Sequence, residues 1–441
     1  MNRIAVQLEA GNPYKSGSAL YLDINGEQRL QLGFSIEDYA RTWGTFDQDA
    51  AEFAYFTSVI YGCDRAVNRE SSDGDRWSRV FDVQIPVADP GKWSATSNLV
   101  EPMLEFLTGD IWRLDFVATP IPLFGREFRT TRSSFRKRRR VRGSAVSLFS
   151  GGLDSLIGII DWLKDNPTAS IVLASTYDAQ AENSRADQDR LLPHLQTEYA
   201  GRIQRYVART GLSIGGEDTN FRSRSLAFIG NAVLAASFLG DDTPIVIPEN
   251  GAIALNYPLT PARRGSLSTR TVHPHFIAML GSLLDTLGLR YPLDNPYLLQ
   301  TKGEMMQKCR NTTLLRAAYA DSASCGKRGH KEHWEDRRAR QCGACVPCIF
   351  RRAAVHSVGF PAERYGYCLT SGSALERILS QPNHDLPSVI DFVERNDGAD
   401  TIWRTLRSNG RLDSLLKGRY ISLVERLRDE VKNWAQSIGL L

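Results

Sequence analysis

The sequence predicts an α/β protein: a parallel-sheet domain with an α+β region ahead of it and a cysteine-bearing, helical region behind it. Three observations carry that expectation. From Ser144 to Gln300, short apolar runs alternate with helical stretches, the pattern of βαβ units and a parallel sheet. Residues 1–143 mix strand-like and helical runs in no such order. Residues 301–441 hold a tight cysteine cluster and end on a long amphipathic stretch.

In residues 1–143, SALYLDI (Ser18–Ile24), RVFDVQIPV (Arg79–Val87) and WRLDFVAT (Trp112–Thr119) alternate or are β-rich. Asp47–Val67 and Leu99–Leu107 space their apolar residues as a helix does. The region is expected to be a separate module, and it carries no catalytic motif. It ends in REFRTTRSSFRKRRRVRG (Arg126–Gly143), with five consecutive cations from Arg136 to Arg140. Such a run usually faces water. A contact with RNA phosphates is the less favoured reading, and pairing with an acidic partner is a third.

In residues 144–300, AVSLF (Ala145–Phe149), SIVLAST (Ser170–Thr176) and PIVIPE (Pro244–Glu249) are the expected strands. Leu153–Leu163, Ala186–Ala200 and Leu226–Leu239 are the expected helices. Between the first strand and helix lies SGGLDS, Ser150–Ser155. Gly151 and Gly152 let the backbone approach a ligand with no Cβ in the way. The N–H groups at the helix start are unpaired and carry the positive end of the helix dipole, a geometry that binds phosphate. Ser150, Gly151, Gly152, Leu153, Asp154 and Ser155 therefore form a candidate phosphate loop. Ser150 and Ser155 offer hydroxyl donors. Asp154 cannot donate when ionised and suits a magnesium ion that bridges phosphates. The loop lacks the Gly-Lys-Ser/Thr ending of a Walker A motif. The plainer alternative is a glycine turn with a serine cap.

Ile247–Phe276 is dense in polar residue types: Glu249, Asn250, Asn256, Arg263, Arg264, Ser268, Thr269, Arg270, His273 and His275. It follows an expected strand, where ligands bind in such sheets. Its length and weak helical pattern predict a functional loop. Glu249, Asn250, Arg270 and His273 are the substrate-binding candidates from it.

In residues 301–441, Cys342-x-x-Cys345-x-x-Cys348 supplies three thiolates. A closed zinc site needs four ligands. Cys325 is the natural fourth, with His330 and His333 as alternatives and an iron–sulfur cluster as the less favoured occupant. Cys63, Cys309 and Cys368 are isolated and are expected to be small core residues. Seven cysteines, clustered in this way, do not make a secreted disulfide framework. Leu416, Tyr420, Leu423, Leu427, Val431 and Trp434 form one helical stripe for core packing.

The net charge of +4 gives no general nucleic-acid signal. MNRIAVQLEAGNPYKSG has no apolar centre of the kind a secretory signal needs. No apolar run approaches the ~18 residues of a membrane span. A cytoplasmic protein with no membrane partner is expected.

SGGLDS resembles the signature of the PP-loop ATP pyrophosphatases, whose fold is the adenine nucleotide alpha hydrolase-like parallel sheet. The resemblance implies cleavage of ATP between the α- and β-phosphates and transfer of AMP to a carbonyl or carboxyl oxygen. Further motifs are similar to those of the 7-cyano-7-deazaguanine synthase (QueC) family. A single cysteine precedes Cys-x-x-Cys-x-x-Cys, and arginine follows. Thr301–Glu304, TKGE, resembles that family's Thr-Lys-x-Glu. Arg224 in RSRSLAF matches the arginine of its Arg-Asn-x-x-x-Leu, and Tyr177–Gln180, YDAQ, is similar to its Tyr-Gly-Gln. The chain departs from the pattern in three places. Sixteen residues separate Cys325 from Cys342, Ser225 replaces the asparagine, and Asp178–Ala179 replaces the glycine. The similarity spans residues 144–355. A long chain with this front region most resembles the QueC-like component of bacterial anti-phage operons.

The resemblance implies ATP, Mg2+ and Zn2+ as cofactors. It implies catalytic roles for Asp154, Ser155, Arg224 and Lys302, and a substrate contact for Gln180. The implied reaction adenylates a 7-carboxy-7-deazaguanine-like substrate and forms an amide with an amine; the large front region points to an amine of a partner protein of the same operon. Nitrile formation from ammonia and tRNA modification are the alternatives. A homo-oligomer is compatible with all of these.

Overall fold

The computed structural model describes residues 1–9, 20–34, 43–69, 78–119, 141–180, 184–214, 216, 218, 222–259, 270–370, 373–380, 385–395 and 397–441. The chain begins with β1 (Asn2–Leu8), β2 (Leu20–Ile24), β3 (Gln28–Phe34), α1 (Gln48–Ala66), β4 (Val80–Val87), α2 (Pro90–Ser94), α3 (Ser97–Thr108) and β5 (Ile111–Ala118). Next come β6 (Ala145–Leu148), α4 (Leu153–Asp165), β7 (Ile171–Tyr177), α5 (Ser184–Glu198), β8 (Ile203–Leu212), α6 (Arg224–Ser237) and β9 (Ile245–Val246). They are followed by α7 (Gly251–Leu255), α8 (Pro274–Thr286), β10 (Leu293–Asp294), α9 (Lys302–Lys308), α10 (Thr312–Ala318) and α11 (Val346–Ser357). The tail is α12 (Ser373–Ser380), α13 (Asp385–Glu394), α14 (Ala399–Arg407) and α15 (Lys417–Ser437).

The strands form one mostly parallel sheet in the order β10-β9-β6-β7-β8-β3-β2-β1-β4-β5. β6, β7, β8, β9 and β10 are parallel to their neighbours within that set, as the βαβ pattern predicts. β2 and β3 are a hairpin whose turn residues Asn25 and Gly26 have φ 58° and 72°. Positive φ at both central positions suits the twist of paired strands and selects Asn-Gly.

The expectation of a separate front module meets a different arrangement, because the sheet crosses the 143/144 boundary. Leu32–Phe34 of β3 pair antiparallel with Thr210–Leu212 of β8. An unpaired β8 would leave a row of open backbone groups, and β3 covers it. One apolar core also runs through both parts, joining Ile4, Phe56 and Val83 to Val146, Ile229 and Leu280. α1 is buried along nearly its whole length between the sheet and α6. That explains why the segment Phe53–Tyr61 is apolar on every side.

Alternation along β7 separates the two faces. Val172 and Ala174 join the core shared with α1 and α6, while Ile171 and Leu173 join a second core with α4, α5 and α10. The tail helices form a third core around Tyr420, Leu423, Leu427, Val431 and Trp434, the stripe read from the sequence. Leu416 packs at its edge.

Ile247–Phe276 differs from the expected long loop. Asn250 caps α7 and His273 caps α8, so both ends are helical. Arg263, Arg264, Ser268 and Thr269 lie outside the described residues, as do Arg126–Arg140 of the basic run. No helix among the described residues is long and apolar enough to cross a membrane.

A candidate phosphate site at the switch point of the sheet

β6 lies between β7 and β9. The chain leaves β6 towards β7 and β8 on one side and returns to β9 on the other. In open α/β sheets the crevice at the carboxyl ends of such a strand pair is where ligands bind. SGGLDS follows β6, and Glu249–Asn250 follow β9, so the topology brings the two segments together.

Gly151 has φ +83°, and a Cβ there would sit 2.8 Å from the Asp187 Cβ. Only glycine fits that conformation and that gap. Gly152 is the N-cap of α4, in an extended conformation, and no side chain caps the helix. The first N–H groups of α4 are thus left for a ligand. The Ser150 hydroxyl accepts from the Gly152 N–H at 3.3 Å, and Ser155 Oγ donates to the Gly152 carbonyl at 2.9 Å. The two hydroxyls stand 3.5 Å apart. Leu153 is buried in the core beneath and anchors the turn.

Asp154 occupies the first turn of α4, where the dipole favours an anion. Its Oδ2 accepts from Asn250 Nδ2 at 2.6 Å and from the Asn250 backbone N–H at 3.1 Å. Its Oδ1 is bonded to Lys302 Nζ, and both side chains are buried. Lys302 is the first residue of α9, held there by a capping box between Thr301 and Glu304. The Thr-Lys-Gly-Glu segment thus aims a cation while it starts a helix. Asn250 is fixed in turn, because its Oδ1 accepts from the Ile253 N–H at 3.1 Å.

Burial opposes ionisation of Asp154. The Lys302 ammonium, with hydrogen bonds from Glu249, Lys302 and Asn250, outweighs it and holds the carboxyl below the usual range. Glu249 goes the other way. Burial, then the Asp154 charge, push its carboxyl well up, and it keeps a proton that it shares with Asp154. Two neighbouring acids driven apart in this way are a mark of acid–base or metal chemistry. Two carboxyl groups share one hydrogen bond at the uncapped head of α4, and a hard cation replacing that proton would be held by both.

Gln180 lies at the neighbouring strand end, beside Asp178. The Gln180 N–H donates to Asp178 Oδ1 at 2.8 Å, and its Nε2 donates to the Ser213 carbonyl at 3.1 Å. Arg224 heads α6, its guanidinium 5.4 Å from the Phe228 ring centroid. Two residues of α1 complete this group: Tyr61 donates its hydroxyl to Asp178 Oδ2 at 3.1 Å, and Arg65 pairs with the same oxygen at 3.3 Å. Sequence reading did not single out Tyr61 or Arg65, because nothing local links α1 to β7.

Arg270 and His273 are grouped with α3 and the tail rather than with Asp154. Arg270 donates to the Phe106 carbonyl at 2.8 Å and to Asn409 at 3.2 Å. His273 is fully buried, and its Nδ1 accepts from the His275 N–H at 3.1 Å. Burial and the Arg270 charge push its imidazole down to about 3, so it is neutral. Both residues serve packing and capping in these positions.

The four sulfurs of Cys325, Cys342, Cys345 and Cys348 lie within 4.8 Å of one another, all buried. Cys342 and Cys348 are 3.8 Å apart, and Cys325 and Cys345 are 4.0 Å apart. Tetrahedral zinc with bonds of ~2.3 Å separates its sulfurs by about 3.8 Å. The Cys342 N–H points at Cys325 Sγ at 3.3 Å, and the Cys345 N–H at Cys342 Sγ at 3.3 Å, orienting both as thiolate ligands. This buried group could hold a metal such as zinc. His333 is exposed and beside Glu332, apart from the sulfurs, and the His330 side chain lies outside the described residues. Cys63 and Cys309 are buried as expected, but Cys368 is exposed, a surface residue rather than a core one.

Compared with protein-family models, curated proteins and solved structures, the chain matches none.

Proposed function

We propose that the protein is an ATP-dependent, AMP- and pyrophosphate-forming carbon–nitrogen ligase that acts on a 7-deazaguanine carboxylate in an anti-phage defence system. The observation that supports it most is the uncapped head of α4 with Asp154 in its first turn, joined to Lys302 and Asn250 at the switch point of the sheet. In this reading the substrate carboxylate oxygen attacks the α-phosphorus of ATP. The bond to the bridging oxygen breaks, and pyrophosphate departs against the N–H groups of α4 and the hydroxyls of Ser150 and Ser155. Magnesium would neutralise phosphate charge when held by Asp154 and Glu249. Lys302 would stabilise the charge that develops at the α-phosphate. An amine then attacks the acyl carbon, AMP leaves, the nitrogen loses a proton and an amide results. Gln180, beside Asp178, and Arg224, at the head of α6, would take the deazaguanine end. The four-cysteine group would hold zinc as a structural centre.

The first acceptor is the amine of a partner protein, since free ammonia needs no large front region. One observation favours ammonia and a nitrile product as a second reading. Phe53–Tyr61, the apolar segment most suited to docking, is buried in the core. The two readings part in one experiment. The protein is incubated with ATP, magnesium, ammonium and 7-carboxy-7-deazaguanine, with and without its operon partners, and products are followed by mass spectrometry. AMP, pyrophosphate and a deazaguanine-sized adduct on a partner are expected. A nitrile formed from ammonia, with no adduct, selects the second reading. No pyrophosphate under any of these conditions overturns both.

A further inference from the structure

The cysteine loop reaches over the phosphate loop. The Ala323 N–H donates to the Gly151 carbonyl at 3.0 Å. The strap that carries Ala323 is pinned from behind by Arg351, fully buried in α11, which donates to Ser322 Oγ at 2.9 Å and to the Tyr319 carbonyl at 2.6 Å. Gln341 Oε1 accepts from the Ser324 N–H at 3.0 Å. Cys325, next along the strap, is one of the four clustered sulfurs. Three residues further on comes Arg328, only 9% exposed. Both of its terminal nitrogens bond the carboxylate of Asp187 in α5, one at 3.1 Å. Asp187 is the residue that a Cβ on Gly151 would strike. Arg190 also reaches Asp187, at 3.2 Å, and Arg328 Nε has no partner among the described residues.

A buried guanidinium is costly to place and stays only where its donors are used. Here two cations share one carboxylate beside the glycines of a phosphate loop, so the local charge is positive and one buried donor is spare. An anion at the head of α4 would lie beside Gly151, which packs against Asp187, the residue that holds this guanidinium. Arginine suits such an anion, because its planar fork matches phosphate oxygens.

We propose that Arg328 is a ligand for the pyrophosphate moiety bound at the head of α4, that Asp187 is its counter-ion when the site is free, and that the four-cysteine centre holds the strap that delivers it. This rests on the reading of Ser150–Ser155 as a phosphate site. It makes the cysteine centre part of the binding apparatus, not a remote staple.

The test is calorimetric titration of the full chain with inorganic pyrophosphate, ATP and AMP, with metal content and melting temperature measured beside it. Arg328→Gln weakens pyrophosphate and ATP by about tenfold, the worth of one charge-assisted contact, and leaves AMP unchanged. Arg328→Lys, which keeps the charge, recovers part of the loss. Asp187→Asn, which frees the guanidinium, tightens pyrophosphate. Unchanged pyrophosphate affinity in a metal-replete Arg328→Gln protein overturns the inference and leaves the functional reading standing. Equal loss of AMP and pyrophosphate in both Arg328 variants, with a falling melting temperature, makes the residue structural and overturns it too. A parent protein that binds neither pyrophosphate nor ATP removes the phosphate site itself.

Discussion

Two of the clusters of buried charge among the described residues are built on different terms. The first ties α1, β4, β5 and the start of α6 together. Arg69 donates to both oxygens of Asp110 at 2.7 Å, and Arg79 to one of them at 2.7 Å. Arg79 also donates to the carbonyls of Asp64 and Val67, while Asp64 accepts from the Ser223 N–H and hydroxyl at 2.8 and 2.6 Å. Burial opposes ionisation of Asp64, and Arg79 and Arg69 overcome it, leaving the carboxyl low. Arg79 reaches the Asp218 carboxylate at 3.3 Å, and Arg65 donates to the Asp218 carbonyl at 2.6 Å while pairing with Asp178. With the buried Arg222 beside Asp110 and Asp64, the carboxylates Asp64, Asp110, Asp178 and Asp218 are matched by the guanidiniums Arg65, Arg69, Arg79 and Arg222. The second cluster has two acids, Asp154 and Glu249, to one ammonium, Lys302, so that one acid is left to hold a proton, beside an uncapped helix head. Buried charge by itself therefore does not mark a site. An excess of acid next to unpaired backbone donors is what makes the second cluster a candidate.

The largest expected effect breaks the balanced cluster. Arg79→Ala strands Asp64 and Asp110 without their shared cation, and a stability loss of about 3–5 kcal/mol is expected, since removing one partner leaves a buried charge uncompensated. Denaturant unfolding measures it. A loss below about 1 kcal/mol would mean the network carries little of the fold. The unbalanced cluster should answer differently. Asp154→Ala should cut pyrophosphate release by about a hundredfold or more, the scale of a lost transition-state electrostatic contact. Its stability cost should be smaller than that of Arg79→Ala, because Glu249 is adjacent and can ionise to pair with Lys302. Pyrophosphate release within a few-fold of the parent, or a stability loss as large as that of Arg79→Ala, would erase the distinction between the clusters.

Much of the unbalanced cluster was legible because its signals are local. A β-rich run, two glycines and an amphipathic helix are contiguous, and so are the three cysteines in Cys342–Cys348. Glu249 and Asn250 were found because they follow a strand, whereas Lys302 came only from the resemblance of Thr301–Glu304 to a Thr-Lys-x-Glu motif. The balanced cluster went unread, since Asp64, Arg79, Asp110 and Asp218 stand in four separate segments of ordinary composition. For the same reason the sequence does not show that the sheet crosses residue 143: the pairing of β3 with β8 has no local signature. The Asn25–Gly26 turn would have announced the β2–β3 hairpin, but not what it pairs with. Arg270 and His273 drew notice by residue type, and type does not say which way a segment packs.

The smallest effect concerns what keeps Lys302 in the unbalanced cluster. Glu430 of α15 accepts from Thr301 Oγ1 at 2.5 Å and from the Gly303 N–H at 3.2 Å, on either side of Lys302. Arg426, one turn earlier, donates to Glu304 at 2.9 Å and to the Leu299 carbonyl at 3.0 Å. The tail helix thus clamps the turn that aims the ammonium at Asp154. Burial pushes the Glu430 carboxyl up to about 7; the Thr301 and Gly303 hydrogen bonds oppose the rise, the Glu304 charge adds to it and the Lys302 charge opposes it. The ordinary value is 4.5, so the folded chain binds this proton more tightly than the unfolded one. The stabilisation is complete below that ordinary value and is lost as pH rises through about 7. Asp64 and Asp154 behave in the opposite sense: their contribution is present above the ordinary carboxylate range and is lost as pH falls. Denaturant midpoints of the parent should therefore decline from about pH 5 to pH 8, by an amount on the order of 1–2 kcal/mol after allowance for partial access of solvent. Glu430→Gln keeps the shape and cannot ionise, so its curve should be flatter over the same range. Parallel curves for the two proteins would show that Glu430 does not titrate there, and that the clamp on Lys302 is insensitive to pH.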